Sequence, residues 1–357
     1  MLSYHTKLEK AITVADTILE QQTAEKDTQL PRAYLAASAI VTLIAGYALL
    51  AGEAAASTLS PLTWALTMLS ILPLVVAQLA LGHPQTWLWL RARTRGILRV
   101  EQRWMLLPIG CYLLGGLAMG RFDPYATAVY VAGVFITIGT LAQADRGYPR
   151  MMWTDTTFWV FLWIPFDFRW NYDLWYGLDD LAYAWWAVML TVVAVYGYGV
   201  LRDFPGLGYR LIPRWLDVEV ALLATAGFAA IAIPVGLAIR FLTFPPTATP
   251  HLSLILLQFV GLFLTVAIPE ELFFRGILQN GLNKHLRNPR LALMLASLAF
   301  GLMHWNNADA VIDRLAYAGL ATVAGLFYGW AYERSDGLLA PILCHTLVDL
   351  IWRFGFQ

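Results

Sequence analysis

Apolar runs long enough to cross a bilayer recur along this chain, and they restrict the folds open to it. A membrane helix needs roughly 17–25 apolar residues in sequence. Inside lipid the backbone must also satisfy its own hydrogen bonds. Between Leu252 and Ile268 no side chain ionises. Over all 357 residues, 59% are hydrophobic and only 13% charged, with a mean hydropathy of +0.59. A soluble domain has about 45–50% apolar and about 25% charged residues. The expected fold is therefore all-α, a polytopic bundle of about 10–11 transmembrane spans. These are placed near 33–50, 62–81, 104–119, 125–143, 153–166, 181–201, 216–239, 252–282, 291–305, 315–332 and 338–354. The 153–166 run is short for a span, so a re-entrant or interfacial placement stays open beside a crossing.

Charge orders the loops. Lys and Arg together number 24, as do Asp and Glu, so the net charge is zero and offers no basic face for nucleic acid. The basic residues are unevenly distributed, however. Arg91, Arg93, Arg95, Arg99 and Arg103 follow the second span, and Arg146 and Arg150 the fourth. Arg202, Arg210 and Arg214 follow the sixth, and Lys284, Arg287 and Arg290 the eighth. The intervening loops are poor in basic residues, with Glu53, Asp123, Asp167, Asp173, Asp179 and Asp180 against Arg169. By the positive-inside rule the N-terminus and the basic loops are cytoplasmic. Residues 1–30 read as an amphipathic surface helix, with a solvated or partner-bound helix as the alternative, since Leu8, Ile12, Ala15 and Leu19 recur at helical spacing among charges, and no signal peptide is expected. Cys111 and Cys344 lie in apolar runs and read as small buried hydrophobes. The Trp- and Tyr-rich stretch 153–186 suggests an aromatic belt, with a cap over a substrate site as the alternative.

Three segments break the apolar pattern with chemistry. The first is Glu270-Glu271-Leu272-Phe273-Phe274-Arg275. A charge in mid-bilayer costs several kcal/mol, and three in six positions call for mutual neutralisation or function. Glu271 and Arg275 are four apart on one helix face in the favourable order. That leaves Glu270, projecting about 100° away, as the unpaired carboxylate, a candidate general base. Phe300 and His304 form the second segment, and His345 and Asp349, again four apart, the third. At a rise of about 1.5 Å per residue, His304 and Glu270 each lie roughly 21 Å from the basic-loop side. Gly325 and Gly329 between the last two segments allow close helix packing.

In this order the segments read E-E-x-x-x-R, F-x-x-x-H and H-x-x-x-D, and the region 216–354 resembles the CPBP family of intramembrane glutamic proteases. That family includes type II CAAX prenyl endopeptidases and bacterial relatives linked to bacteriocin processing or immunity. The resemblance implies an endopeptidase core over 216–357, preceded by a transmembrane region at 31–215 of unassigned role. It implies that Glu270 and His304 activate a water, that His345 and Asp349 stabilise the oxyanion, and that Glu271 and Arg275 are structural or orient substrate. Many family members have Asn where Asp349 stands; a carboxylate donates only when protonated, so Asp349 can instead orient His345. The expected partners are a peptide or membrane-protein substrate and the lipid bilayer, with no cofactor, in a bacterial inner or plasma membrane. Oligomeric state and substrate identity stay open. Three other readings share these residues: a zinc peptidase using Glu270, His304 and His345, a non-proteolytic immunity or scaffold protein, and a proton-relay transporter, for which no inverted repeat speaks.

Overall fold

The computed structural model describes residues 31–53, 60–94, 103–120, 122–168, 179–244 and 251–356. The surface helix expected at 1–30 lies outside the described residues, as do Arg95, Arg99, Arg169 and Asp173. Among the described residues every regular element is helical. In order these are α1 (Arg32–Glu53), α2 (Pro61–Ala80), α3 (Pro84–Thr94), α4 (Leu106–Ala118), α5 (Pro124–Gln143) and α6 (Asp179–Ala194). They continue with α7 (Trp215–Ala238), α8 (Leu252–Leu286), α9 (Pro289–Met303), α10 (Val311–Ser335) and α11 (Leu339–Gly355).

Three helices start by one device. Ser60, Asp123 and Asn288 each precede a proline, and each side chain accepts a hydrogen bond from a backbone N–H three residues on, at 3.1, 2.9 and 3.2 Å. The cap satisfies a free donor, and the proline occupies the first turn, where its missing N–H costs nothing.

Six helices among the described residues are long and apolar enough to span a bilayer: α2, α5, α6 with its π-helical extension Val195–Leu201, α7, α8 and α10. The chain is thus an integral multi-pass membrane protein. Helices α9 and α11, with 15 and 17 residues, are as long as the runs expected at 291–305 and 338–354, and turns at His304 and Asp336 bound them. The 153–166 run is not one helix. It divides into a 3₁₀ turn (Trp153–Thr156), a π turn (Trp159–Trp163) and an α turn (Ile164–Asp167).

Helix α6 is the spine of the bundle. Of its best apolar window 94% is buried, against 22% for α8, as expected for a helix that is hydrophobic all round. It packs against α2 on one side and α8 on the other, joining the N-terminal helices to a C-terminal group of α7, α8, α9, α10 and α11. The first part of α8, Leu252–Leu262, buries no residue and turns its leucines outward.

The basic segments meet at one end of the bundle. Arg91 pairs with Asp203 at 2.6 Å, and Arg146 donates to the Leu201 carbonyl at 2.8 Å. Arg202, fully buried, pairs with buried Asp155 at 3.1 Å and donates to the carbonyls of Asp145, Tyr148 and Arg150. Arg214 bonds Asp217 and the Ser335 carbonyl, and Lys284 bonds the Pro205 carbonyl.

Candidate active site

The site is built on α8, whose hydrogen bonding changes register twice. Pro269 has no N–H to return to the preceding turn, and its ring crowds that turn's carbonyl. The helix passes this point through a π turn at Phe263–Ala267 and makes one α turn, Ile268–Glu271. It then widens again at Leu272–Gln279. From the N-terminal half, Gln78 of α2 donates to the Leu264 carbonyl at 2.8 Å inside the first π turn. Such bulges recur at functional sites, and here they bracket the two glutamates.

Glu271 is fully buried and serves two partners through a single oxygen. Arg275 Nη1 donates to Glu271 Oε1 at 2.9 Å, and His345 Nδ1 to the same oxygen at 2.7 Å. Arg275 also donates to the Gly325 carbonyl at 3.2 Å, and its guanidinium lies 4.5 Å from the Phe300 ring centroid and 5.1 Å from that of Tyr328. Helix α10 comes this close because Gly325 and Gly329 have no side chain. A Cβ at Gly325 would stand 2.9 Å from the Ser297 Cα, and one at Gly329 2.5 Å from Gln279 Oε1.

Glu270 faces the other way. Its Oε2 has no hydrogen-bond partner and lies 3.9 Å from His345 Nε2. Asp349 Oδ2 approaches the same Nε2 at 3.6 Å. Since a carboxylate only accepts, His345 carries its proton on Nδ1 towards Glu271, and Nε2 is turned to Glu270 and Asp349. The Tyr328 ring stacks on the imidazole at 4.7 Å and 19°.

His304 follows the end of α9. Its Nδ1 lies 2.8 Å from the Phe300 carbonyl, which can only accept, so Nδ1 is protonated and Nε2 keeps a lone pair. The ring is sandwiched by Tyr317, stacked at 5.5 Å and 22°, and Phe300, 4.6 Å away. Glu270, His304, His345 and Asp349 all line one cavity of about 730 Å³. Its remaining wall includes Trp163, Phe166 and Tyr183 from the N-terminal half and Phe228 from α7.

All six residues singled out in the sequence therefore meet in one region. One relation differs from the expected pairing: Glu271 is shared between Arg275 and His345 rather than spent on Arg275 alone. Glu270 and His304 line the same cavity, and His345 Nε2 lies 3.9 Å from Glu270 Oε2. No role for Tyr317 or Tyr328 follows from spacing, although Tyr328 sits between the two glycines that bring α10 inward. Nor could spacing assign Trp163, which stacks on Phe273 at 3.9 Å and 6° from a distant segment. Among the described residues, no group of three His, Cys, Asp or Glu side chains is arranged to hold a metal ion.

Comparison with known proteins falls on these same helices. Residues 252–351 match the family model described as type II CAAX prenyl endopeptidase Rce1-like. An uncharacterized protein of Bacillus subtilis, YpbD, is 25% identical over 109 residues, covering 30% of this chain. The match takes in 47% of that protein, so the chain spans about half the length of this relative. No solved structure matches. Helix α7 and the aromatic stretch near Trp163 lie outside the matched residues, though both contribute cavity walls. The helices that bring Glu270, Glu271, Arg275, His304, His345 and Asp349 together thus lie within the residues that match the Rce1-like type II CAAX prenyl endopeptidase family, in a longer multi-pass membrane chain.

Proposed function

We propose that this protein is an intramembrane endopeptidase of the glutamic type. The observation that carries the reading is the division of labour between neighbouring glutamates. Glu271 is spent on Arg275 and His345, whereas Glu270 lines the cavity and keeps a buried oxygen with no hydrogen-bond partner. Glu270 takes a proton from a water whose oxygen attacks the peptide carbonyl carbon, and the basic Nε2 of His304 orients that water. The carbonyl oxygen becomes an oxyanion, and His345, protonated on Nε2, donates to it. The C–N bond then breaks and Glu270 returns its proton to the leaving amine, so charge and protons balance. A general base contributes about 10²–10⁴-fold and an oxyanion donor about 10²–10³-fold. Asp349 is a positioning residue in this scheme: a carboxylate facing Nε2 favours its protonated form without itself donating. Glu271, Arg275 and the rings of Phe300 and Tyr328 hold His345 at its post.

The domain division of the chain follows from this reading: residues 216–357 form the protease core and 31–215 a membrane scaffold that closes one wall of the cavity. The basic end faces the cytoplasm by the positive-inside rule. The test compares peptides in membranes of cells carrying the wild type and Glu270→Gln. Fragments present only with the wild type support proteolysis. An identical fragment pattern, with any phenotype intact in the variant, would establish the non-proteolytic alternative. Loss of cleavage on chelation, restored by zinc, would instead favour a metallopeptidase.

A further inference from the structure

The cavity has a direction. Helix α9 starts at the basic end and carries His304 just past its last residue, roughly 21 Å away along a hydrocarbon core about 30 Å thick. Beyond His304 the cavity wall continues only outward, through Asn306, Asn307 and Asp309, which precede α10. Helix α11 also starts at the basic end, where Leu338 N donates to the Gly208 carbonyl at 2.9 Å. Its cavity residues run from His345 through Asp349 to Arg353, in its last turn. Asp167 adds a further polar wall from the end of the 153–167 stretch. Asn306, Asn307, Asp309 and Arg353 are all exposed. Among the described residues, none at the basic end lines this cavity: Arg91, Arg146, Arg202, Arg214 and Lys284 are bound to backbone or carboxylates at the other end of the bundle. The turns that join helices at the mouth end also carry Arg240, Arg314 and Arg353, but against Asp123, Asp167, Asp309 and Asp313, so among the described residues the charge asymmetry keeps its sign.

We infer that the cavity is entered from the membrane face opposite the basic loops, and that the substrate is a polypeptide segment presented at the non-cytoplasmic face. The substrate part of this inference rests on the protease reading; the direction of entry does not. A polar, two-signed rim suits an extended backbone and its carbonyls, and the walls of Phe166, Tyr183, Phe228 and Trp352 suit apolar side chains entering with it. Chains cleaved here are exported or membrane-inserted, with the scissile bond in the outer half of the bilayer or at its surface. Soluble cytoplasmic proteins have no route to Glu270.

The experiment labels single cysteines in intact cells with a membrane-impermeant charged thiol reagent. The native Cys111 and Cys344 are 6% and 0% exposed, so the wild type is the unlabelled background. Asp309→Cys marks the mouth, Met303→Cys the cavity wall beside His304, and Arg290→Cys the basic end. The expected result is labelling of Asp309→Cys and Met303→Cys in intact cells, and of Arg290→Cys only after permeabilisation. Two results overturn the inference. One is labelling of Arg290→Cys alone in intact cells, which inverts the protein. The other is an Asp309→Cys signal with no Met303→Cys signal before denaturation, which means that the mouth does not lead to the site. Labelling of every variant in detergent-denatured samples shows that the thiols are present, and a wild-type unfolding profile shows that each variant folds. Because the readout needs no cleavage, failure of the protease reading leaves this result unaffected.

Discussion

Two of the buried groups of charge in this bundle are completed differently. The side chains of Arg202 and Asp155 are both fully engaged: Asp155 accepts from Arg202 and from the Met152 N–H, and Arg202 spends its remaining donors on three carbonyls. Around Arg275 the group is left open, with Oε2 of Glu271 and Oε2 of Glu270 both unpartnered. A closed group ties loops together, and nothing more can be asked of it. An open one in an apolar surround is expensive to keep, and its unused atoms point to where chemistry takes place.

The largest effect that separates the two groups is on cleavage. Glu270→Gln should reduce it by about 10²–10⁴-fold with an unchanged unfolding profile in detergent. A matched loss of stability would mean that Glu270 is structural, and the contrast would collapse. Next come the arginines. Arg275→Met and Arg202→Met each strand a buried carboxylate and should each cost about 3–5 kcal/mol in denaturant unfolding. The double changes sharpen the comparison. Asp155→Asn with Arg202→Met should regain stability and cleave normally, whereas Glu271→Gln with Arg275→Met should regain stability and remain inactive. Gly325→Ala forces α10 off Ser297, at about 1–3 kcal/mol, and should weaken cleavage through the displaced Arg275 contact. The smallest change expected is for Asp349→Asn. Its cleavage rate should stay within about tenfold of wild type, since an amide can still face His345; a loss as deep as that of Glu270→Gln would make Asp349 a direct participant.

The legible parts of this molecule were those written within one helix. Glu271 with Arg275, and His345 with Asp349, follow from i,i+4 geometry, and the apolar runs announce membrane helices without further help. Relations between helices were harder to read. Nothing in the spacing tells that His345 shares an oxygen with Arg275, because that contact depends on how α11 packs against α8 and on the glycines that let α10 approach. The same holds for Trp163 against Phe273, two aromatic residues far apart in sequence. The 153–166 run shows what composition leaves out: its backbone passes through 3₁₀, π and α geometry, and residue content alone does not record hydrogen-bond register.

Each π turn in α8 holds the equivalent of one added residue in the helical phase. The side chains before Phe263, those at Glu270 and Glu271, and those after Gln279 are therefore indexed to three different screws along a single rod. A one-residue deletion in either π turn would let that turn relax to α geometry with the helix on both sides still in phase, whereas the same deletion in the α turn Ile268–Glu271 would rotate one side against the other by about 100°. Length, as much as residue identity, is thus part of what this segment encodes.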